Sequence, residues 1–251
     1  KFVELPDGDV PTHDTICRLF EVLKPSDFIG AFIAFVSALT GKGQDEIIAL
    51  DGKALRGAVS KKDIDDAVEE DVTHMVSAFS MKRSVVLAQL RSAAKRNENE
   101  AARQLLALID VEGSIVTMDA AHCSAETIEV ATGRGADIVV TLKDNQPRLV
   151  MHAEQAFAAR GKNAPRHVEE GDSHGRRERR VYEVLDVEAG ELDVRWGKVR
   201  SLVRVERERT SRKTWERTEA THYYVTTLPS SAFRRIAEAI RAHWPIENQL
   251  H

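Results

Sequence analysis

Between residues 12 and 40 the apolar positions recur at helical spacing. Ile16, Leu19, Phe20 and Leu23 follow the start signals Pro11, Thr12 and Asp14, and Pro25 closes the run. Ser26 opens a second helix that carries Phe28, Phe32, Phe35, Val36 and Leu39 and stops at Gly41 and Gly43. Stripes of this kind usually face a core, so both helices are expected to bury them. From Ile47 the period changes to two. A strand is expected over Ile47 to Leu55, a charge-rich loop over 61–71, and two more strands at His74 to Phe79 and Val85 to Leu90, joined by a turn over 81–84. A helix over 97–109, a short strand over 115–118, a helix over 124–132 ended by Gly133 and an apolar, β-branched strand over 137–142 follow. Three strands in a row, then strands alternating with helices, predict an α/β fold with a mixed sheet flanked by helices.

Beyond Pro147 and a helix to about residue 159 the pattern changes. Residues 165–228 read as several short, arginine-rich strands with few helix signals, a β-rich insertion. Ser230 or Ser231 then caps a last helix through Phe233, Ile236, Ile240 and Trp244. The expected organisation is a helical N-terminal segment (1–45), the first part of a core (46–150), the insertion (151–228) and a core helix (229–251).

The chain has 251 residues, 42% hydrophobic and 30% charged, which suffices for a real core and excludes disorder for the bulk. No apolar run approaches the ~18–20 residues of a membrane span, and the most apolar stretch, 28–39, is interrupted by Gly30 and Ser37. No signal-peptide pattern opens the chain, and a start at Lys1 reads as a fragment. Cys17 and Cys123 cannot build a disulfide framework, so a reducing cytoplasm is expected. The net charge of -4 argues mildly against a nucleic-acid partner, but its distribution does not. Residues 1–75 hold 15 acidic and 8 basic side chains, net -7, whereas residues 160–220 hold 13 and 16, net +3.

With forty acidic residues, the useful criterion is a carboxylate placed where the apolar pattern predicts burial, because an unpaired buried charge is costly. Asp51 follows Ile47-Ile48-Ala49-Leu50, and Asp119 follows Ile115-Val116-Thr117-Met118, each at the C-terminal end of an apolar strand. Glu247 continues the Ile236, Ile240, Trp244 stripe of the last helix, although Pro245 can bend the chain just before it. Three such carboxylates would repel one another unless a cation joins them. Hard oxygen ligands point to magnesium, with manganese as substitute, over zinc. The competing reading makes these acids helix caps or arginine partners. Gly41-Lys42-Gly43 lacks the other elements of a phosphate loop, His122-Cys123 has no second pair at zinc spacing, and no Ser-His-Asp arrangement is apparent.

The motifs around these acids resemble those of the H-repeat-associated insertion-sequence transposases, a DDE-type family. Ile-Ile-Ala-Leu-Asp51-Gly-Lys-Ala-Leu-Arg-Gly is similar to the first-aspartate motif and Val-Thr-Met-Asp119-Ala to the second. Thr-Leu-Lys143-Asp-Asn145-Gln146 resembles the K-x-N-Q signature, and His-Trp-Pro-Ile-Glu247-Asn-Gln-Leu-His the glutamate motif. Pro-Thr-His-Asp near the start and His174-Gly175-Arg176-Arg-Glu178 also match, so the ordered set spans residues 6 to 251. The resemblance implies an RNase H-like core with the aspartates on the first and fourth strands and the glutamate on a late helix. It implies magnesium-dependent cleavage and strand transfer on double-stranded DNA, at terminal inverted repeats and in target DNA, by attack of water and then a 3′-hydroxyl without a covalent enzyme intermediate. A homodimer on DNA in a bacterial cytoplasm would fit.

Supporting residues carry two readings each. Lys53 and Arg56 could contact phosphates or be solvated strand-end charges. Lys143, Asn145 and Gln146 could touch the DNA backbone or a flipped base, or simply form a turn. Alternation places Arg176, Glu178, Arg180 and Tyr182 on one face, suited to a DNA backbone or to a mixed-charge surface. His243 and Asn248 flank the glutamate by about one helical turn and would orient it or contact the scissile strand. His243 stands where many related transposases have arginine and Ile240 where they have tyrosine, and the chain stops before a downstream lysine. The competing functions are therefore an inactive relic that only binds DNA, or a nuclease without strand transfer.

Overall fold

The computed structural model describes residues 10–40, 45–55, 73–92, 97–173 and 175–243. Two helices, α1 (His13–Val22) and α2 (Pro25–Thr40), come first. Thr12 caps α1, its side chain accepting from the Thr15 amide at 3.3 Å, and Pro25 takes the first turn of α2, where a missing N–H costs nothing. Strands β1 (Ile47–Leu55), β2 (Thr73–Ser80) and β3 (Val85–Ser92) follow. Then come α3 (Glu98–Leu108), β4 (Ile115–Met118), α4 (Ala125–Gly133), β5 (Asp137–Leu142) and α5 (Pro147–Arg160). Four strands, β6 (Arg166–Ser173), β7 (Arg176–Asp186), β8 (Ser201–Ser211) and β9 (Arg217–Thr226), precede α6 (Phe233–His243).

All nine strands form one sheet in the order β3-β2-β1-β4-β5-β9-β8-β7-β6. β1, β4 and β5 run parallel to one another, and every other neighbouring pair is antiparallel. A three-stranded antiparallel unit continued by two parallel strands and flanked by helices is the RNase H-like arrangement expected. One face packs Ile48, Leu50, Val116, Met118, Ile138 and Val140 against Leu105 and Leu106 of α3, Ile128 of α4 and Leu149 and Phe157 of α5. The opposite face packs Ile115, Val139, Tyr182, Val203 and Tyr224 against Ile236, Ala237 and Ile240 of α6. Strands covered on both faces read as unbroken apolar runs, which is why β4 and β5 were legible by composition.

Three expectations need correction. The strands after α5 are long, at 8, 11, 11 and 10 residues, and they extend the core sheet because β9 pairs with β5. Alternation of charge hid their length, since charged cross-strand rows satisfy a ladder without apolar residues. The apolar stripe of α1 and α2 is largely exposed: α1 buries no residue, and Phe20, Phe28 and Phe35 stand open while Val36 is buried. Ser230 does not cap α6 with its side chain. Its amide and hydroxyl both donate to Asp186, at 2.7 and 2.6 Å, and tie the start of the last helical segment to the end of β7. The charge-rich stretch 61–71 and Trp244 lie outside the described residues.

β6–β9 form an arm that outreaches the core. The β5–β9 ladder ends at Leu142 opposite Tyr223, yet β9 pairs with β8 out to Arg217. The six residues 217–222 span about 20 Å beyond the C-terminal edge of β5, at roughly 3.4 Å per residue.

Candidate active site

Asp51 is the fifth residue of β1, and alternation puts it with Ile47, Ala49 and Lys53 on the α6 face, while Ile48 and Leu50 enter the opposite core. β4 lies parallel to β1 with Leu50 opposite Met118. Asp51 and Asp119 are the next residues along these two neighbouring chains, which run about 4.8 Å apart. Asp119 also caps a single 3-10 turn over Ala120–His122, its Oδ1 accepting from the Ala121 amide at 2.9 Å. Oδ2 takes no part in that cap. Both aspartates are half-buried, as the apolar context of their strands requires.

The two carboxylates line one cavity of about 190 Å³, together with Lys143 just past β5 and His243 at the end of α6. The His243 ring nitrogen Nδ1 and the Thr117 hydroxyl are hydrogen-bonded at 2.9 Å. This bond fixes the end of α6 against β4, two residues before Asp119. Glu247, the third expected ligand, follows four residues later. It lies outside the described residues, as do Arg56 and Asn248.

The remaining candidates divide. Lys53 shares the face of Asp51 and is half-buried two residues further along β1. Asn145 and Gln146 bond to neighbouring backbone: the Asn145 side-chain amide donates to the Ala120 carbonyl at 2.6 Å, and the Gln146 side-chain amide to the Cys123 carbonyl at 2.9 Å. Together they clamp the loop after β5 to the loop that holds Asp119. Arg176 is exposed near the outer end of β7, on the same face of the sheet as Asp51 but three strands from β5. Arg180 is buried and paired with Glu178 at 2.8 Å, a mixed-charge cluster of the kind that competed with DNA contact in the sequence.

Thr117, His222 and Tyr224 also line the cavity, and sequence reasoning missed all three. His222 and Tyr224 arrive through the β5–β9 pairing, in which Thr141 faces Tyr224. Burial holds the His222 imidazole below its ordinary pKa, and the charges of Arg207, Lys143 and Arg209 add to this, so it enters the cavity neutral at pH 7. Cys123, near the Asp119 turn, is pushed up to about 12 by burial and then by the Asp119 carboxylate. It remains a thiol at neutral pH.

Two oxygen donors of hard character at one cavity suit magnesium or manganese better than zinc. Among the described residues no three His, Cys, Asp or Glu side chains converge at metal-binding distance, and Asp51 and Asp119 bring two carboxylates to the cavity. Lys143 brings a positive charge to the same cavity.

The family model of the transposase DDE domain matches residues 42–251. YbfL and YhhI of Escherichia coli (strain K12) are each 32% identical over 252 and 253 residues, 98% of this chain. YncI of E. coli O157:H7 is 32% identical over 252 residues, again 98% of this chain. YhhI is named as an H repeat-associated transposase and YncI as a transposase. The chain spans 65% of the length of YbfL and YhhI and 63% of YncI.

Proposed function

The chain belongs to the transposase DDE-domain family, and from that premise we propose that it cleaves and rejoins DNA strands at insertion-sequence ends, with double-stranded DNA as substrate. The observation that carries this reading is the meeting of Asp51 and Asp119, from adjacent parallel strands, with Lys143 and His243 at one cavity. Asp51, Asp119 and Glu247 would hold magnesium, or manganese in its place. Bound there, the cation would activate the attacking oxygen and offset charge on the phosphate. Lys143 holds a non-bridging phosphate oxygen by a charge-assisted bond. His243 keeps the end of α6 seated on β4 through Thr117, at the same cavity as the aspartates. Asn145 and Gln146 keep the Asp119 turn in place from behind.

The test is strand cleavage on duplex DNA carrying the element's end, in magnesium and in manganese, by the full-length protein. Asp51→Asn and Asp119→Asn should each lower the rate by roughly 10³-fold, about 4 kcal/mol of barrier. Wild-type cleavage by either variant would sink the reading. Cuts without joined products would reduce it to a nuclease, and DNA binding with neither metal uptake nor cuts would leave a DNA-binding relic.

A further inference from the structure

Asp51 is followed by a glycine, and the reason lies on the opposite face of β1. Alternation puts residue 52 on the face of Ile48 and Leu50, which pack against α3. A side chain at this position would meet Glu98, the first residue of α3. A Cβ on Gly52 would lie 3.0 Å from Glu98 Oε2 and 3.1 Å from its Cδ. Gly52 sits within the strand and has no left-handed φ. The close approach of the carboxylate is therefore what a larger residue would disturb.

That carboxylate is itself held. Glu98 Oε1 accepts from His74 Nδ1 at 2.9 Å, and the two side chains are only 14% and 7% exposed. His74 stands on β2 opposite Ala54 of β1, in the ladder where Asp51 faces Ser77 and Gly52 faces Val76. The pair thus joins the N-terminal end of α3 to the two strands at Asp51, while Leu105 and Leu106 anchor the rest of that helix in the core. The first turn of α3 also offers the carboxylate the positive end of the helix dipole. A buried polar pair is a poor choice for stability alone, since apolar residues of similar volume often serve as well or better. What it supplies is direction: a satisfied buried pair specifies one arrangement, whereas apolar side chains can slide.

We propose that His74 and Glu98 are positioning residues for the candidate active site: Glu98, aimed by His74, bears on Gly52 and so fixes where β1 presents the Asp51 carboxylate beside Asp119. This rests on the functional reading above and adds two residues to it, neither of which lines the cavity. The contact transmits force because the carboxylate cannot swing away freely. Yielding by a few tenths of an ångström to a Cβ on Gly52 means straining the His74 bond. Catalytic constellations need placement within about 0.5 Å, and a misplacement of ~1 Å can cost on the order of 10²-fold in rate.

The experiment measures two properties of the full chain and its variants. One is manganese uptake without DNA, followed by the electron paramagnetic resonance of the unbound ion. The other is cleavage of duplex DNA carrying the element's end at saturating metal. Glu98→Ala, His74→Ala and Gly52→Ala should each slow cleavage roughly 10–100-fold and weaken manganese binding several-fold. His74→Asn, which offers a donor near the place of Nδ1, and Glu98→Gln, which keeps an acceptor, should restore most of both. Gly52→Ala joined to Glu98→Ala should be no worse than Gly52→Ala alone, because the two changes undo one contact. Thermal melts followed by circular dichroism set a temperature at which each variant is folded. Where an alanine variant of the pair fails to fold, Gly52→Ala, which leaves both side chains in place, decides alone. Unchanged cleavage and manganese uptake in the folded variants would overturn the proposal and leave the pair a core contact. So would losses that multiply in the double variant. Loss of uptake in Glu98→Ala as complete as in Asp51→Asn would also overturn it, by making Glu98 a ligand. The functional reading is judged separately. If Asp51→Asn is inactive while the variants of the pair and of Gly52 behave as the unaltered chain, the positioning role fails and the reading stands. If Asp51→Asn cleaves normally, the reading falls, and the pair's role at that site falls with it.

Discussion

The two halves of the sheet are held by different forces. Around β1, β4 and β5 both faces are covered, and Leu50, Val116, Ile138 and Val140 are fully buried between helix layers. Past the end of β5 the arm's rows carry exposed cross-strand charge pairs, such as Arg179 with Glu170 at 3.3 Å and Arg217 with Glu208 at 2.9 Å. Burying one aliphatic side chain contributes about 1.5–3 kcal/mol, whereas a solvent-exposed ion pair contributes about 0–1. Two aspartates that must hold a fixed geometry stand on the half where displacement is expensive. The arm stands on the half held largely by cross-strand charge.

The strongest way to break this contrast is to remove one side chain from each half. Leu50→Ala deletes a fully buried side chain behind Asp51 and should cost about 2–5 kcal/mol of unfolding free energy. Arg217→Ala removes both of its exposed pairs on the arm, with Glu208 and Glu219, and should cost less than about 1 kcal/mol. Urea denaturation of both variants measures the difference. Comparable losses would mean that the arm's charges hold the fold as firmly as the core does.

The same division governs what the sequence could say. β1, β4 and β5 were legible to the residue because burial imposes an apolar run or a strict alternation, and the placement of Asp51 and Asp119 followed from it. His222 and Tyr224 were not legible. Alternation puts them on one face of β9, but which face, and beside which strand, depends on a pairing with β5 across more than 80 residues that no local pattern carries. The arm's cross-strand charge pairs were hidden for the same reason: its rows exist only once β6–β9 are in register. Asn145 and Gln146 show the converse, since a motif marks them as important without saying that their amides bond to the Ala120 and Cys123 carbonyls. The apolar stripe of α1 and α2 misled, because helical periodicity names an apolar face without naming what covers it.

The joint between arm and core offers a smaller and sharper test. Asp186, at the end of β7, accepts from the Ser201 hydroxyl at 3.0 Å and from both the amide and hydroxyl of Ser230. Burial pushes its pKa up, but the bonds from Ser230 and Ser201 and the Arg200 charge outweigh it, so the carboxyl is held below its usual value. A carboxylate lowered in the folded state stabilises above its unfolded pKa near 3.9, and this is lost as pH falls through the lowered folded value. Asp186→Asn should therefore cost about 1 kcal/mol at neutral pH, with the exposed setting discounting the charged bonds. The deficit should shrink progressively below about pH 4. A deficit independent of pH would place the loss in packing and not in the carboxylate.

The smallest effect is expected at the arm's tip, and its sign is the informative part. Trp215 has φ of 58°, left-handed backbone that a bulky residue adopts at a cost of roughly 1 kcal/mol, and its side chain is 77% exposed. The turn is closed by backbone bonds, the Trp215 amide donating to the Ser211 carbonyl and the Ser211 amide to the Glu216 carbonyl, at 2.8 and 2.9 Å. None of this needs the indole. Trp215→Gly relieves the strain while adding freedom to the unfolded chain, which offsets part of the gain, so the variant should be about 0.5 kcal/mol more stable. Matched urea curves on wild type and variant measure it. A loss of about 1 kcal/mol or more would show that the tip is held by packing of the indole, and the arm would then resemble the core more than its exposed charges suggest.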